Sequence, residues 1–295
     1  MKKLLHCLAC LQMPCLLILS LAGCGGKSSS TTDIAALRGN WLVTGSLPTL
    51  NGAGPGGAQP FSLTLTLDVA NNEVLAAGSE YYPCAGLSVG ATASFLPAPI
   101  AADGTFTLQT VETGPVVPTI LVTVHGAVAN LSGGDWSGTY SATNANAGCA
   151  PVSGSFTAVP IQPVTGTFRG VGSLGAAGSG PAVPVTLTTV FEQGAVANQA
   201  PPPGELASPE DGLLTGTISI AGSPCFTTGT GAVPMGAVLG DSFFAQFSMN
   251  DGSRLLLNGS VQEAATTSLV LTSVVVLGGN CNGWVGSTGS VLMRQ

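Results

Sequence analysis

From Phe61 to Val69 the chain alternates without a break. Phe61, Leu63, Leu65, Leu67 and Val69 fall on one face, and Ser62, Thr64, Thr66 and Asp68 on the other. Side chains of an extended backbone point to opposite faces with a period of two, so this stretch is predicted to be a strand with one face in a core. The pattern recurs. Trp136, Gly138 and Tyr140 alternate with Asp135, Ser137 and Thr139, and Val152, Gly154, Phe156 and Ala158 alternate with Ser153, Ser155 and Thr157. Turn-forming pairs separate the runs: Asn71-Asn72, Asp103-Gly104, Gly133-Gly134 and Asp251-Gly252. Beyond the N-terminal segment no stretch of ten or more residues has helical spacing. The runs Thr119–Val124 and Ser268–Leu277 are too short for a membrane-spanning helix and rich in β-branched residues. The expected fold class is all-β.

The alternation is written twice. Gly39-Asn40-Trp41 followed by Gly45-Ser46-Leu47 matches Gly166-Thr167-Phe168 followed by Gly172-Ser173-Leu174 at the same spacing. Leu63-Thr64-Leu65-Thr66 matches Val185-Thr186-Leu187-Thr188. Ala77-Gly78-Ser79 precedes Pro83-Cys84, as Ala221-Gly222-Ser223 precedes Pro224-Cys225. Cys149 precedes Gly154-Ser155-Phe156, as Cys281 precedes Gly289-Ser290-Val291. Matches kept in this order indicate a duplication. Copy one is read as residues 38–160 and copy two as 164–295, joined by the stiff linker Pro160-Ile161-Gln162-Pro163. The second carries an exposed loop, 193–212, that contains Pro201-Pro202-Pro203. About eight short strands per copy suit an antiparallel meander closed into a small barrel, or a two-sheet sandwich. Closure would remove the exposed edges that a chain so poor in Lys leaves unguarded. Gly39-Asn40-Trp41 at the head of such a unit resembles the Gly-x-Trp opening of lipocalins and avidins, with Phe168 in the Trp place in the second copy.

The N-terminus reads as an address. Met1, Lys2 and Lys3 are followed by a mostly apolar run to Leu21 and then by small residues, the layout of a secretory signal peptide over residues 1–23. Leu21-Ala22-Gly23-Cys24 resembles the bacterial lipobox. That resemblance implies cleavage just before Cys24, a diacylglycerol on its thiol and a fatty acyl chain such as palmitate on its new amino group. Each buried methylene contributes about 0.8 kcal/mol, so several chains hold a protein on a membrane without spanning it. Gly25 stands where the Asp that retains enteric lipoproteins at the inner membrane would be, which points to the outer membrane. Residues 24–37 are expected to be a flexible tether. The whole also resembles uncharacterised envelope lipoproteins built of tandem Gly/Ser/Thr-rich β units.

Removing the signal leaves Cys24, Cys84, Cys149, Cys225 and Cys281. The repeat selects Cys84–Cys149 within copy one and Cys225–Cys281 within copy two, and export makes oxidation plausible. Each bond would close a loop of about 60 residues, for about 4 kcal/mol by chain-entropy reasoning. A four-thiolate zinc site needs closely spaced pairs, which the sequence lacks.

Most chemistries find no material here. Seven basic residues against 14 acidic ones speak against following a phosphate backbone, so no nucleic-acid partner is expected. His125 is the only histidine beyond the signal segment, placed on a polar strand face, so a Ser-His-Asp triad has little to draw on. Only Glu210 and Asp211 are adjacent acids, in a loop expected to be solvated. Gly170-Val171-Gly172-Ser173-Leu174-Gly175 fits the dinucleotide-binding text but is followed by more loop rather than a helix. A membrane-spanning barrel is a rival architecture, though three Trp, three Tyr and ten Phe are few for two aromatic girdles.

The expected protein is thus a lipid-anchored, two-domain β protein of the cell envelope, without cofactor or metal and not an enzyme. Its expected work is binding or interaction, with a small apolar ligand or an envelope protein as partner, through loops or barrel mouths such as 193–212. A structural or adhesive surface component is the alternative, and a hydrolase using Glu210 or His125 a third.

Overall fold

The computed structural model describes residues 34–45, 62–84, 87–110, 120–130, 134–144, 151–177, 182–194, 209–262, 267–286 and 288–295. The expected signal segment, Cys24, Cys149 and the middle of loop 193–212 lie outside them.

The fold is all-β. Nine strands form the first sheet: β1 (Gly39–Gly45), β2 (Ser62–Ala70), β3 (Glu73–Cys84), β4 (Leu87–Ser94), β5 (Ala98–Pro99), β6 (Thr105–Gln109), β7 (Ile120–Ala127), β8 (Trp136–Asn144) and β9 (Val152–Ile161). Nine more form the second: β10 (Gly166–Ala176), β11 (Val183–Gln193), β12 (Leu213–Ala221), β13 (Thr228–Leu239), β14 (Ser242–Met249), β15 (Arg254–Gln262), β16 (Ser268–Leu277), β17 (Trp284–Gly286) and β18 (Ser290–Arg294). The described helical pieces are three short 3₁₀ turns, at Ile34–Leu37, Val128–Asn130 and Glu210–Gly212. Each sheet has eight strand positions, because β4 and β5 share one flank of β3, and β17 and β18 both bridge β16 to β10.

Both sheets curl into barrels, which decides between barrel and sandwich. In the first the order runs β4-β3-β2-β1-β9-β8-β7-β6. A bridge between Phe95 and Thr110, with Leu96 N donating to Gln109 O, draws the two ends together at one level. The second is a complete ring: β10 pairs with β11 on one side and with β17 and β18 on the other. In each barrel the first strand therefore pairs with the second and with the last. The opening residues agree as well. Gly39 and Gly166 both take a positive φ, 118° and 119°, that an L side chain resists, and two residues on Trp41 and Phe168 are both buried.

The β2–β11 correspondence differs by two residues from the one suggested by the text. Gly39 pairs with Leu67 and Gly166 with Phe191, so Leu63 is equivalent to Leu187, not to Val185. A slip of two keeps every side chain on its own face, so alternation alone cannot detect it.

Turns form where the turn pairs stand. Asn71 and Asn72, both at positive φ, join β2 to β3, and Gly252, at 83°, joins β14 to β15. Asp103 caps the β6 turn by accepting from the Thr105 amide at 3.0 Å.

Each barrel has its own core. In the first, Trp136 stacks on Phe106 (5.6 Å between centroids) and meets Phe156 (4.8 Å) and Trp41 (6.3 Å) edge-on. Gly126 makes this packing possible, since a Cβ there would collide with both Trp136 and Phe106. In the second, Phe191 is the hub, with Phe168, Phe243 and Phe247 all between 6.1 and 6.3 Å away. The first barrel also takes in the end of the span read as tether: Leu37 is fully buried, and its carbonyl accepts from Trp41 Nε1 at 2.8 Å.

Candidate functional site

The polar face of β2 builds the most elaborate side-chain constellation in the described fold. Thr64, Thr66 and Asp68 point away from their own barrel, as alternation requires, yet all three are buried. The second barrel covers them. Thr66 Oγ1 lies 2.8 Å from Asn40 Oδ1 and 2.9 Å from the Val238 carbonyl, and accepts from the Gly240 amide at 2.8 Å. Thr64 donates to Asp241 Oδ1 at 3.0 Å. The β13–β14 turn of one barrel thus sits on a threonine ladder of the other. Buried polar groups are tolerated because each finds a partner.

Beside this contact lies a cleft of about 410 Å³, walled by Arg38, Gly39 and Asn40 from the start of the first barrel, by Pro160–Pro163, and by Gln193, Gly194 and Asp211. Of the four residues read as linker, Pro160 and Ile161 end β9, paired with Trp41 and Asn40, so only Gln162 and Pro163 lie beyond the strand. Gln193 organises it. Its Oε1 accepts from Asn40 Nδ2 (3.3 Å) and the Val164 amide (2.8 Å), while its Nε2 donates to the Asp211 carbonyl (2.7 Å). Both described ends of loop 193–212 therefore belong to the junction between barrels.

Glu210 and Asp211 depart from expectation. Read as solvated, they lie instead in a 3₁₀ turn packed against β2, because the Glu210 amide donates to Asp68 Oδ2 at 3.3 Å. Asp68, only 2% exposed in its side chain, also takes the Arg38 guanidinium, with Nε–Oδ1 at 3.3 Å. Asp211 Oδ2 is buried without a hydrogen-bond partner. Burial, and then the charge of Asp68, push the Asp211 carboxyl above its ordinary value, with Arg38 opposing. An acid that keeps its proton more readily than usual is what proton-transfer sites use, but structural networks perturb acids in the same way. Here the neighbours are bonded to one another.

The other predicted residues are scattered. His125 is exposed on β7, with Nδ1 2.9 Å from Thr107 Oγ1, far in sequence from the acids and in none of their hydrogen bonds. The Gly170–Gly175 stretch is barrel wall within β10, where a Cβ on Gly170 would strike the Val291 carbonyl. Among the described residues no three His, Cys, Asp or Glu side chains gather as a metal site. Cys225 and Cys281 are joined, their Cα atoms 6.1 Å apart, tying the β12–β13 loop to the β16–β17 loop. Of Cys84 only the backbone, at the end of β3, is described, so the expected pairing Cys84–Cys149 and the expected lipid site Cys24 fall outside the described residues.

Sequence reasoning missed Asn40, Thr66 and Gln193, which belong to no chemical motif. The one available signal was the regular polar face of β2, which looks the same whether water or protein covers it. No known protein-family model matches the chain, and no curated protein does.

Proposed function

We propose that this chain is a lipid-anchored component of the bacterial cell envelope, held through Cys24 and acting by its outer surface as a non-enzymatic interaction module. The observation that carries the choice of mode is the filling of both barrels. Trp41, Phe106, Trp136 and Phe156 occupy one interior, and Phe168, Phe191, Phe243 and Phe247 the other, all 4% exposed or less. Barrels that carry apolar ligands keep an open lumen, and sites for drug-sized ligands run to about 300 Å³ or more. Space taken by the protein's own aromatic rings favours an envelope macromolecule as partner over a small apolar ligand.

Three measurements test this. Solvent extraction of the purified protein followed by mass spectrometry should yield no apolar compound in stoichiometric amount beyond the acyl groups on Cys24. A stoichiometric ligand would make the protein a carrier and overturn the reading. Cross-linking in cells should give a discrete complex with another envelope component. Adducts with copies of the chain alone would favour the structural role. Cys24→Ser should release the protein from membranes, and a variant still in the pellet after a salt wash would contradict the anchor.

A further inference from the structure

The outer wall of the second barrel carries an apolar field. Val291 pairs with Val270, Met293 with Arg169, and Val285 with both Gly175 and Val275. In that register Val171, two residues beyond Arg169 on the same face, stands opposite Val291. Val171 is 68% exposed, and Val285, Val291 and Met293 are each above 40%. Single exposed valines are ordinary, whereas several on adjoining strands make a continuous patch of the kind that marks a contact surface.

The same wall is free of acid. The chain holds 14 acidic residues against seven basic ones, yet β10, β16, β17 and β18 contain no Asp or Glu and carry Arg169 and Arg294. Arg169 is exposed beside Met293. An apolar patch edged by the exposed Arg169 suits the boundary of an anionic bilayer, where apolar side chains enter the headgroup layer and a cation near the surface is drawn to it.

We propose that this wall of the second barrel rests on the lipid surface, with Val171, Val285, Val291 and Met293 at the headgroup boundary and Arg169 on anionic headgroups. The inference rests on reading Cys24 as the anchor. Nine residues separate Cys24 from Ile34, and the ten Cα–Cα steps between them reach at most about 35 Å, so the barrels stay within reach of the bilayer. The chain also joins the fold next to this wall. Arg38 shares its cleft with Pro163, whose carbonyl accepts from Arg294, the neighbour of Met293.

Met293 reports the contact, because Met235 and Met249 are buried. The processed full chain is reconstituted in vesicles of phosphatidylethanolamine and phosphatidylglycerol and treated with dilute hydrogen peroxide, and sulfoxide at each methionine is followed by mass spectrometry. Met293 should oxidise several-fold more slowly in the wild type than in Val171→Glu/Val291→Glu or in Arg169→Glu, with all three proteins in the membrane pellet. Equal rates in pelleted wild type and variants would overturn the proposal. A variant whose Met235 becomes reactive has lost its fold, and the other then carries the comparison. If no protein pellets, it is the anchor reading that fails. Adding the same vesicles to the soluble protein then decides the wall: slower Met293 oxidation sustains it, an unchanged rate removes it. Protection that needs no vesicles and grows with protein concentration would assign the patch to a second copy of the chain, and so overturn it.

Discussion

Asp211 shows how far a residue's surroundings can depart from its neighbours in the text. Beside Glu210 and after a Pro-rich stretch it reads as a solvated acid, but the fold presses it against β2 near Asp68 with one buried, unpartnered oxygen. Its carboxyl is raised, so the folded state holds the proton more tightly than the unfolded chain does. Stability is then lost as pH climbs from the unfolded value through the raised folded one, and the loss stays in place above it. Asp211→Asn removes the charge without removing a hydrogen bond made by Oδ2. It should therefore stabilise the protein at pH 7 by about 1 kcal/mol or less, and the gain should shrink towards pH 4. Urea unfolding at the two pH values checks this, and a destabilised variant at pH 7 would show that the carboxylate contributes an attraction instead. None of this was legible in advance. Asn40, Thr66, Asp68 and Gln193 are common residue types, and their contacts join positions as much as 174 apart, beyond any local pattern. The Cys225–Cys281 proximity, by contrast, was reachable, because the duplicated order of Pro-Cys and later Cys singled it out.

Single strands were the most legible level. Alternation from Ser62 onward gave β2 nearly to its ends, and the Asn-Asn and Asp-Gly pairs gave turns, because both signals are local steric facts. Two things about the same strand stayed hidden. One is register, since a slip of two positions preserves the face of every residue. The other is what covers the polar face, since Thr64 and Thr66 look alike beneath water and beneath another barrel. Glycines inside strands were also more informative than they seemed. A glycine inside a strand ordinarily weakens it, yet the missing Cβ of Gly126 is the space into which Trp136 and Phe106 pack. Gly126→Ala should cost about 1–3 kcal/mol through overpacking and broaden the near-ultraviolet circular dichroism of the tryptophans. An unchanged urea midpoint would mean that the aromatic stack can shift aside.

At the scale of the molecule, two separately cored barrels unfold together or apart according to how firmly the β2 ladder holds them. The ladder is buried and hydrogen-bonded at Thr64 and Thr66, and Gln193 closes the neighbouring cleft. Leaving one buried partner unsatisfied costs about 1–3 kcal/mol, a large part of what a contact of this size can supply. Calorimetry of the wild type should therefore show one transition. Thr66→Val keeps the shape but strips the Gly240 amide and the Val238 carbonyl of their partner, and should separate the barrels into two transitions. The Cys225–Cys281 bond then identifies them. It spans 56 residues wholly within the second barrel, so Cys225→Ser/Cys281→Ser in the Thr66→Val background should withdraw about 4 kcal/mol from one transition and leave the other in place. If both transitions fall together, the two barrels remain a single cooperative unit and the threonine ladder is not what couples them. If neither falls, the bond contributes nothing to the folded state and the loops it joins are held by Phe226 and their other buried neighbours instead.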